Sequence, residues 1–200
     1  MIKLGYAQVD ITPEEPMELV GFYREDNISK GVQSPLLAQV AVWESEERCC
    51  LVTVDSIGFM KELSGRLRQC VGDVLSISID KVMVCFSHTH AAPNADSEKQ
   101  YFEMICEKVS AAAGRAMADL KQVSVGYGNA EVDIGVNRRA GGIKVDERAG
   151  FLLAQDEKTQ KNCLLLVRLT AHGNVLKADN YRISPDYFGA VREVLQEQYD

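Results

Sequence analysis

The sequence predicts an α/β (α+β) fold in which layers of mixed β-sheet are covered by helices. Short aliphatic and β-branched runs, bounded by turn residues, recur along the chain. Between them lie longer segments in which apolar residues recur every three or four positions, as they do on a helix face. Strand pairs at the start, then alternating strands and helices, then further strand pairs are typical of a mixed sheet with helical cover.

Seven runs are predicted as strands from their composition and flanking turns: residues 3–10, 36–43, 49–55, 81–86, 122–134, 150–154 and 163–170. Three amphipathic segments are predicted as helices: residues 60–75, 98–120 and 185–198. In the middle helix Phe102, Ile105 and Val109 belong to one apolar stripe. The tripeptide Ser184-Pro185-Asp186 favours a start of the last helix at Pro185, with Ser184 as its cap.

Composition limits the class of protein. A chain of 200 residues is long enough for one domain with a sizeable core, so residues 1–200 are interpreted as a single domain. The net charge of −7 argues against a nucleic-acid partner, because phosphate binding needs a basic surface. No apolar run reaches the length of a transmembrane segment, and the amino terminus lacks the pattern of a signal peptide. We therefore expect a cytoplasmic protein, and the sequence carries no signal for its oligomeric state.

The six cysteines agree with a reducing compartment. They contain no C-x-x-C pair, and most lie inside predicted strands or helices. Buried thiols of this kind act as small hydrophobic residues, so neither a disulfide framework nor a sulfur-bound zinc site is expected.

The motif His88-Thr89-His90 is the strongest functional signal, because the chain has only three histidines and two of them lie here. It follows the apolar run 82–86, a predicted buried strand. Side chains alternate along a strand, so His88 and His90 are expected to point the same way. Imidazole is the commonest metal ligand in proteins. The alternative is a loop pair that only hydrogen-bonds to backbone.

Two further residues end apolar strands in the same manner. Asp55 closes the run 51–54, and as a neighbour of the His88 strand it is a candidate metal ligand or histidine partner, or else a helix cap. His172 follows the run 164–171, where a polar residue before a turn is the simpler interpretation. All three histidines nevertheless end strands, and a site for zinc or a similar divalent metal explains this economically.

Arg138 lies in a glycine-rich loop after a long predicted strand. Its guanidinium is a candidate for binding a substrate oxygen or a developing oxyanion, although a plain surface arginine explains the residue as well. The sequence has no phosphate-binding loop, no G-x-S-x-G elbow and no H-E-x-x-H helix.

Taken in order, several segments resemble the amino-terminal part of the neutral/alkaline non-lysosomal ceramidase family. The start 5–13, with the later Gly21-Phe22 pair, is similar to the family's G-x-(x)-x-x-D-I-T-P and Gly-aromatic segments. Residues 86–93 match its T/S-H-T-H-S-G-P hallmark. Further similar segments are 34–38, 54–55, 136–138, 171–172 and 183–190.

This resemblance implies a zinc-dependent amide hydrolase acting on an N-acyl amide, a small or lipid-like molecule. It implies His88 and His172 as zinc ligands, with His90 and Arg138 near the substrate carbonyl or in proton transfer. Family members are about twice as long, and their remaining ligands, a Glu and a Tyr, have no counterpart here. Asp55, His90 or Asp186 is then expected to complete the site. The alternative is a non-catalytic metal- or ligand-binding domain, a truncated or degenerate relative.

Overall fold

The computed structural model describes residues 1–139 and 141–199. Within them the order of elements is β1 (Lys3–Asp10), β2 (Leu37–Glu44), β3 (Arg48–Val54), α1 (Lys61–Leu75), a 3-10 turn (Ile79–Lys81), β4 (Val82–Phe86), α2 (Lys99–Ala118), β5 (Lys121–Glu131), β6 (Arg148–Asp156), β7 (Asn162–Arg168) and α3 (Tyr187–Tyr199). The predicted α+β class is confirmed.

The strands form one sheet with the order β4-β3-β2-β1-β5-β6-β7. Only β3 and β4 run parallel, and every other neighbouring pair is antiparallel. β1 pairs with β2 along its whole length but with β5 through only two residue pairs, Lys3 with Gln122 and Leu4 with Lys121. This short junction divides the sheet into a half made of β1 to β4 and a half made of β5 to β7.

One face of the first half packs against α1 and α2. Alternate residues of the central strands, such as Val40, Val42 and Val52, are fully buried beneath these helices in the main hydrophobic core. The approach is close at Gly5 of β1, where a Cβ atom would lie 1.8 Å from the carbonyl oxygen of Ala116 in α2. A glycine at this position therefore lets the helix backbone contact the strand directly.

The other face of the first half looks toward β7 and α3. Near the β1–β5 junction it forms a small second core of Leu4, Ala41, Val123 and Ala154. Farther along, the two layers separate around a cavity. α3 is held next to this cavity by an ion pair between Arg192 and the buried Asp55, in which Nη2 and Oδ2 lie 3.0 Å apart. The sheet thus has helices on one face and its own second half on the other.

Several predicted boundaries were wrong by two or three residues, including both ends of β6 and the ends of α2 and β7. β5 ends at Glu131, earlier than the predicted 134, where its pairing with β6 ends. The last helix begins at Tyr187, two residues after Pro185, because Asp186 has a φ of 59° and lies outside helical geometry. All six cysteines are free thiols. Cys50 and Cys106 are buried and Cys70 and Cys163 are partly buried, but Cys49 and Cys85 are exposed, contrary to the prediction that these thiols are buried. No helix among the described residues has both the length and the apolar content needed to cross a bilayer.

The contact at Gly5 makes a testable prediction about stability. Gly5→Ala should lower the free energy of unfolding by about 1–3 kcal/mol, because the new methyl group overlaps a helix backbone. Gly126→Ala in β5 is the matched control, since nothing lies within 4 Å of its Cβ position. Urea unfolding followed by circular dichroism measures both, and equal midpoints would contradict the packing described.

Candidate metal centre

The three histidines of the chain converge at one edge of the fold. Candidate ligand nitrogens of His88, His90 and His172 all lie within 4.8 Å of one another. Their ring centroids are separated by 4.7–5.3 Å, and the rings pack edge to face. This is the one group of three or more potential metal-binding side chains among the described residues. The predicted convergence of His88 with His172 is therefore present in the structure.

His88 reaches the cluster through a strained backbone, so the predicted strand alternation is not the cause. β4 ends at Phe86, and His88 has a φ of 59°, in the left-handed region that non-glycine residues rarely adopt. Its Nδ1 lies 2.5 Å from the carbonyl oxygen of Ile57. A carbonyl only accepts hydrogen bonds, so Nδ1 carries the proton and the other ring nitrogen, Nε2, keeps a lone pair.

Thr89 explains why the two histidines of the motif share a side. It is fully buried, and its hydroxyl donates to the carbonyl oxygen of Ser184 over 2.7 Å. The backbone N–H of Ala91 in turn donates to the Thr89 hydroxyl oxygen. With Thr89 anchored in the interior, the flanking His88 and His90 face the partly exposed edge.

His90 is held by the loop between β1 and β2. Its Nδ1 donates to the carbonyl oxygen of Gly21 over 2.9 Å, and its ring centroid lies 4.6 Å from that of Phe22. Gly21 has a φ of 105°, and a Cβ there would come within 2.5 Å of the imidazole. Glycine is thus required both by the backbone conformation and by the space that His90 occupies.

His172 is delivered by the loop that follows β7. Gly173 packs so closely against the motif that a Cβ atom would lie 2.9 Å from the carbonyl oxygens of Ser87 and His88. Its own carbonyl oxygen accepts from the backbone N–H of His90 over 3.3 Å. Farther along the loop, Asp186 accepts hydrogen bonds from three backbone N–H groups, those of Val175, Leu176 and Tyr187. Asp186 therefore fixes the His172 loop.

The donor set fits a divalent metal such as zinc. The Nε2 atoms of His90 and His172 lie 2.8 Å apart. Because Nδ1 of His90 donates to Gly21, its Nε2 presents a lone pair, which meets either an N–H of His172 or a cation bound by both rings. Two imidazoles oriented by backbone carbonyls and a third beside them supply the three nitrogen ligands that are common in catalytic zinc sites.

The electrostatics favour the neutral, metal-binding form of His90 and His172. Burial lowers the pKa of the His90 imidazole, and His172 lowers it further. Burial also lowers the pKa of His172, with His88 and Arg138 acting in the same direction. A neutral ring keeps a lone pair available near neutral pH, so metal binding does not compete with a tightly held proton.

The other predicted site residues fall in different places. The structure does not bring Asp55 into the histidine cluster: its Oδ2 accepts from the backbone N–H of Leu37 and from Arg192. Arg138 is exposed and is close enough to His172 to lower the pKa of that imidazole. Its loop packs closely at Gly135, where a Cβ atom would lie 2.9 Å from the carbonyl oxygen of Thr170. Gly21 belongs to the Gly-aromatic pair noted in the sequence, whereas no sequence signal pointed to the carbonyl of Ile57.

A cavity of about 830 Å³ extends from the cluster between the sheet, β7 and α3, with His88 and His172 among its lining residues. Most of its wall is apolar and includes Leu51, Leu165 and Phe188. A polar row crosses the sheet face, in which Thr53 donates to Gln39 and Gln39 donates to Tyr6. A largely apolar molecule with a polar group matches this lining.

Comparison with known proteins supports the fold. The chain superposes along its whole length on a neutral ceramidase from Pseudomonas aeruginosa, with a TM-score of 0.86 and 19% sequence identity. A ceramidase complexed with C2 matches with a TM-score of 0.85 at the same identity. In both cases the chain covers 36% of the other protein, so it has the fold of one part of a neutral ceramidase. No protein-family model and no curated protein matches the sequence.

The cluster predicts about one bound zinc ion per chain. His172→Ala should abolish stoichiometric binding, because it removes the imidazole nearest to His90. Asn174→Ala, a neighbouring loop substitution that removes no imidazole, is the control and should bind as the wild type does. Elemental analysis after dialysis measures both, and a metal content unchanged in His172→Ala would exclude this site.

The position of Asp55 predicts a structural effect of its substitution. Asp55→Asn should leave zinc content unchanged but lower the free energy of unfolding by about 1.5–3 kcal/mol, because it removes the charge that pairs with Arg192. Denaturant unfolding and elemental analysis on the same sample separate the two roles. Loss of zinc together with retained stability would instead support the ligand role expected from the sequence.

Proposed function

We propose that the chain binds zinc through His88, His90 and His172 and hydrolyses the amide bond of an N-acyl, lipid-like substrate. The observation that carries this proposal is the three-histidine cluster at the mouth of an apolar cavity. The shared fold with part of the neutral ceramidases agrees with it. Because the chain spans about a third of those proteins, the proposed activity rests on the residues of this chain rather than on the likeness.

The proposal gives each nitrogen of His90 a role. Its Nδ1 is engaged by Gly21 and its Nε2 faces His172, so we assign it as a third ligand rather than as a proton carrier. Zinc held there would polarise an amide carbonyl and lower the pKa of a bound water toward neutrality. Asp55, the ligand expected from the sequence, acts in this proposal through Arg192 on the position of α3.

Arg138 is proposed to stabilise the oxyanion that develops on the amide carbonyl. Its guanidinium is near His172 and exposed, so it is accessible to a substrate at the cluster. A fixed cation beside a developing negative charge contributes strongly when water is excluded. The apolar walls of the cavity would hold the acyl chain and keep water away from the scissile bond.

A second candidate is a metal-binding domain without catalytic activity. It is favoured by one observation: among the described residues no carboxylate joins the histidine cluster. A domain of this kind would bind zinc with the same three residues but turn over no amide. A panel of N-acyl amides of different chain lengths, assayed with the zinc-loaded protein and with His88→Ala, distinguishes the candidates. Turnover present in the wild type and absent in the variant supports the hydrolase.

Arg138 provides a test of the oxyanion role. Arg138→Gln should reduce kcat by about 100- to 1,000-fold with zinc content unchanged, because one oxyanion donor is lost. Arg139→Gln is the matched control, an exposed arginine at the adjacent position. Steady-state kinetics on a fluorogenic N-acyl amide measures both variants, and equal kcat values would remove Arg138 from the mechanism.

The cavity predicts selectivity for acyl-chain length. Leu51→Trp should lower kcat/KM for long acyl chains by about tenfold or more while sparing short ones, because the indole fills part of the cavity. Met83→Trp is the control: Met83 pairs with Leu51 in the sheet, but it is 63% exposed. A uniform change across chain lengths would show that the acyl group binds elsewhere.

A further inference from the structure

Arg24 is a buried cation that has no carboxylate partner within residues 1–139 and 141–199. Only 5% of the residue is exposed, and none of the ion pairs found among the described residues includes it. Its Nη1 is buried and has no hydrogen-bond partner in the described part of the chain. Burying an unpaired charge is costly, and burial accordingly lowers the pKa of Arg24. Such a residue needs a compensating role.

The remaining nitrogens of Arg24 join the two loops that carry the metal-binding histidines. Nη2 donates to the backbone carbonyl oxygen of His90 over 3.1 Å, and Nε donates to that of Asn180 over 3.3 Å. His90 lies between β4 and α2, whereas Asn180 lies in the segment between β7 and α3 that also carries His172. One guanidinium therefore spans both loops.

The faces of the same guanidinium contact aromatic rings. Its Cζ lies 5.4 Å from the centroid of Phe22 and 5.9 Å from that of Tyr181. Phe22 in turn packs against the ring of His90, with centroids 4.6 Å apart. Arg24 thus acts on His90 by two routes, through its backbone carbonyl and through the Phe22 ring beside its imidazole.

We infer that Arg24 is a positioning residue that sets His90 against His172 in the metal centre. This inference rests on the proposed zinc site. The planar guanidinium suits the task because its fixed donors reach two carbonyls in different directions while its faces stack on rings. A lysine ammonium is a compact charge and cannot hold the same two-loop geometry. The unpaired charge is retained because its hydrogen bonds orient the ligands.

Imidazole NMR and zinc titration on Arg24→Lys test this inference. Long-range 1H–15N spectra of the metal-free protein report which nitrogen of each ring carries the proton. The wild type should show His90 as the Nδ1–H form, and Arg24→Lys should show a mixture of forms. In competition with a chromophoric chelator, the zinc affinity of the variant should fall by about 10- to 100-fold.

Arg182→Lys is the matched control. Arg182 also donates to a backbone carbonyl, that of Val32 at 2.7 Å, and so joins the segment between β7 and α3 to the loop between β1 and β2, which carries no histidine. It should leave both the His90 signals and the zinc affinity as in the wild type. The inference is overturned if Arg24→Lys folds and matches the wild type in both measurements, or if Arg182→Lys is equally impaired.

The inference is also falsifiable on the wild-type protein, should Arg24→Lys not fold. The guanidinium Nη resonances of Arg24 should show hindered rotation and slow exchange with water, since the group is buried and bonded to two carbonyls. Averaged, rapidly exchanging signals would overturn the positioning role. If the wild type binds no zinc, the proposed function fails, while the imidazole and guanidinium spectra still decide the role of Arg24.

Discussion

The short junction between β1 and β5 is the constraint on which the histidine cluster depends. β4 and β7 are the two ends of the sheet order, and in a flat sheet they would lie about 29 Å apart at a strand spacing of about 4.8 Å. The residues that follow them, His88 and His172, instead have nitrogens within 4.8 Å of one another. Only two residue pairs join the halves, so the second half folds over the first.

The same folding over creates the cavity. One face of the first half is covered by α1 and α2 and is packed with small aliphatic side chains. The opposite face carries Gln39, Thr53 and Tyr6 and lies across a gap from β7 and α3. Because one face of the sheet is tightly packed and the other is open, the cavity lies beside the strand ends that precede the histidines.

The cluster itself is built largely by backbone atoms. Carbonyl oxygens of Ile57 and Gly21 orient two imidazoles, and the close approach of Gly173 brings the third. Metal ligands are commonly oriented by a hydrogen bond to their second nitrogen, which fixes the tautomer and the direction of the lone pair. The site depends on glycines and on loop conformation as much as on the three histidines.

Much of the fold was readable from the sequence, because hydrophobic periodicity reports which residues face a core. All seven strands and three helices were predicted, with boundary errors of two or three residues at several ends, among them the end of β5 and the start of α3. The errors at β5 and α3 arise from pairing with a distant strand and from the positive φ of Asp186, neither of which leaves a periodic signal. Of the site, His88, His172 and Asp55 were predicted as ligands. His90 was expected near the substrate carbonyl or in proton transfer, or as one of the residues that complete the ligand set.

By itself, then, the sequence determined the fold class, the covered faces of the strands and the three imidazoles in the segments that follow β4 and β7. Tertiary structure decided which nitrogen of His88 and of His90 is free, and that Asp55 pairs with Arg192 outside the cluster. It also decided that Arg24 bridges two loops. The physical reason is the distance along the chain over which each interaction acts. Side-chain periodicity is a local property, whereas a carbonyl from a distant loop or a guanidinium between two others is set only when the sheet folds back on itself.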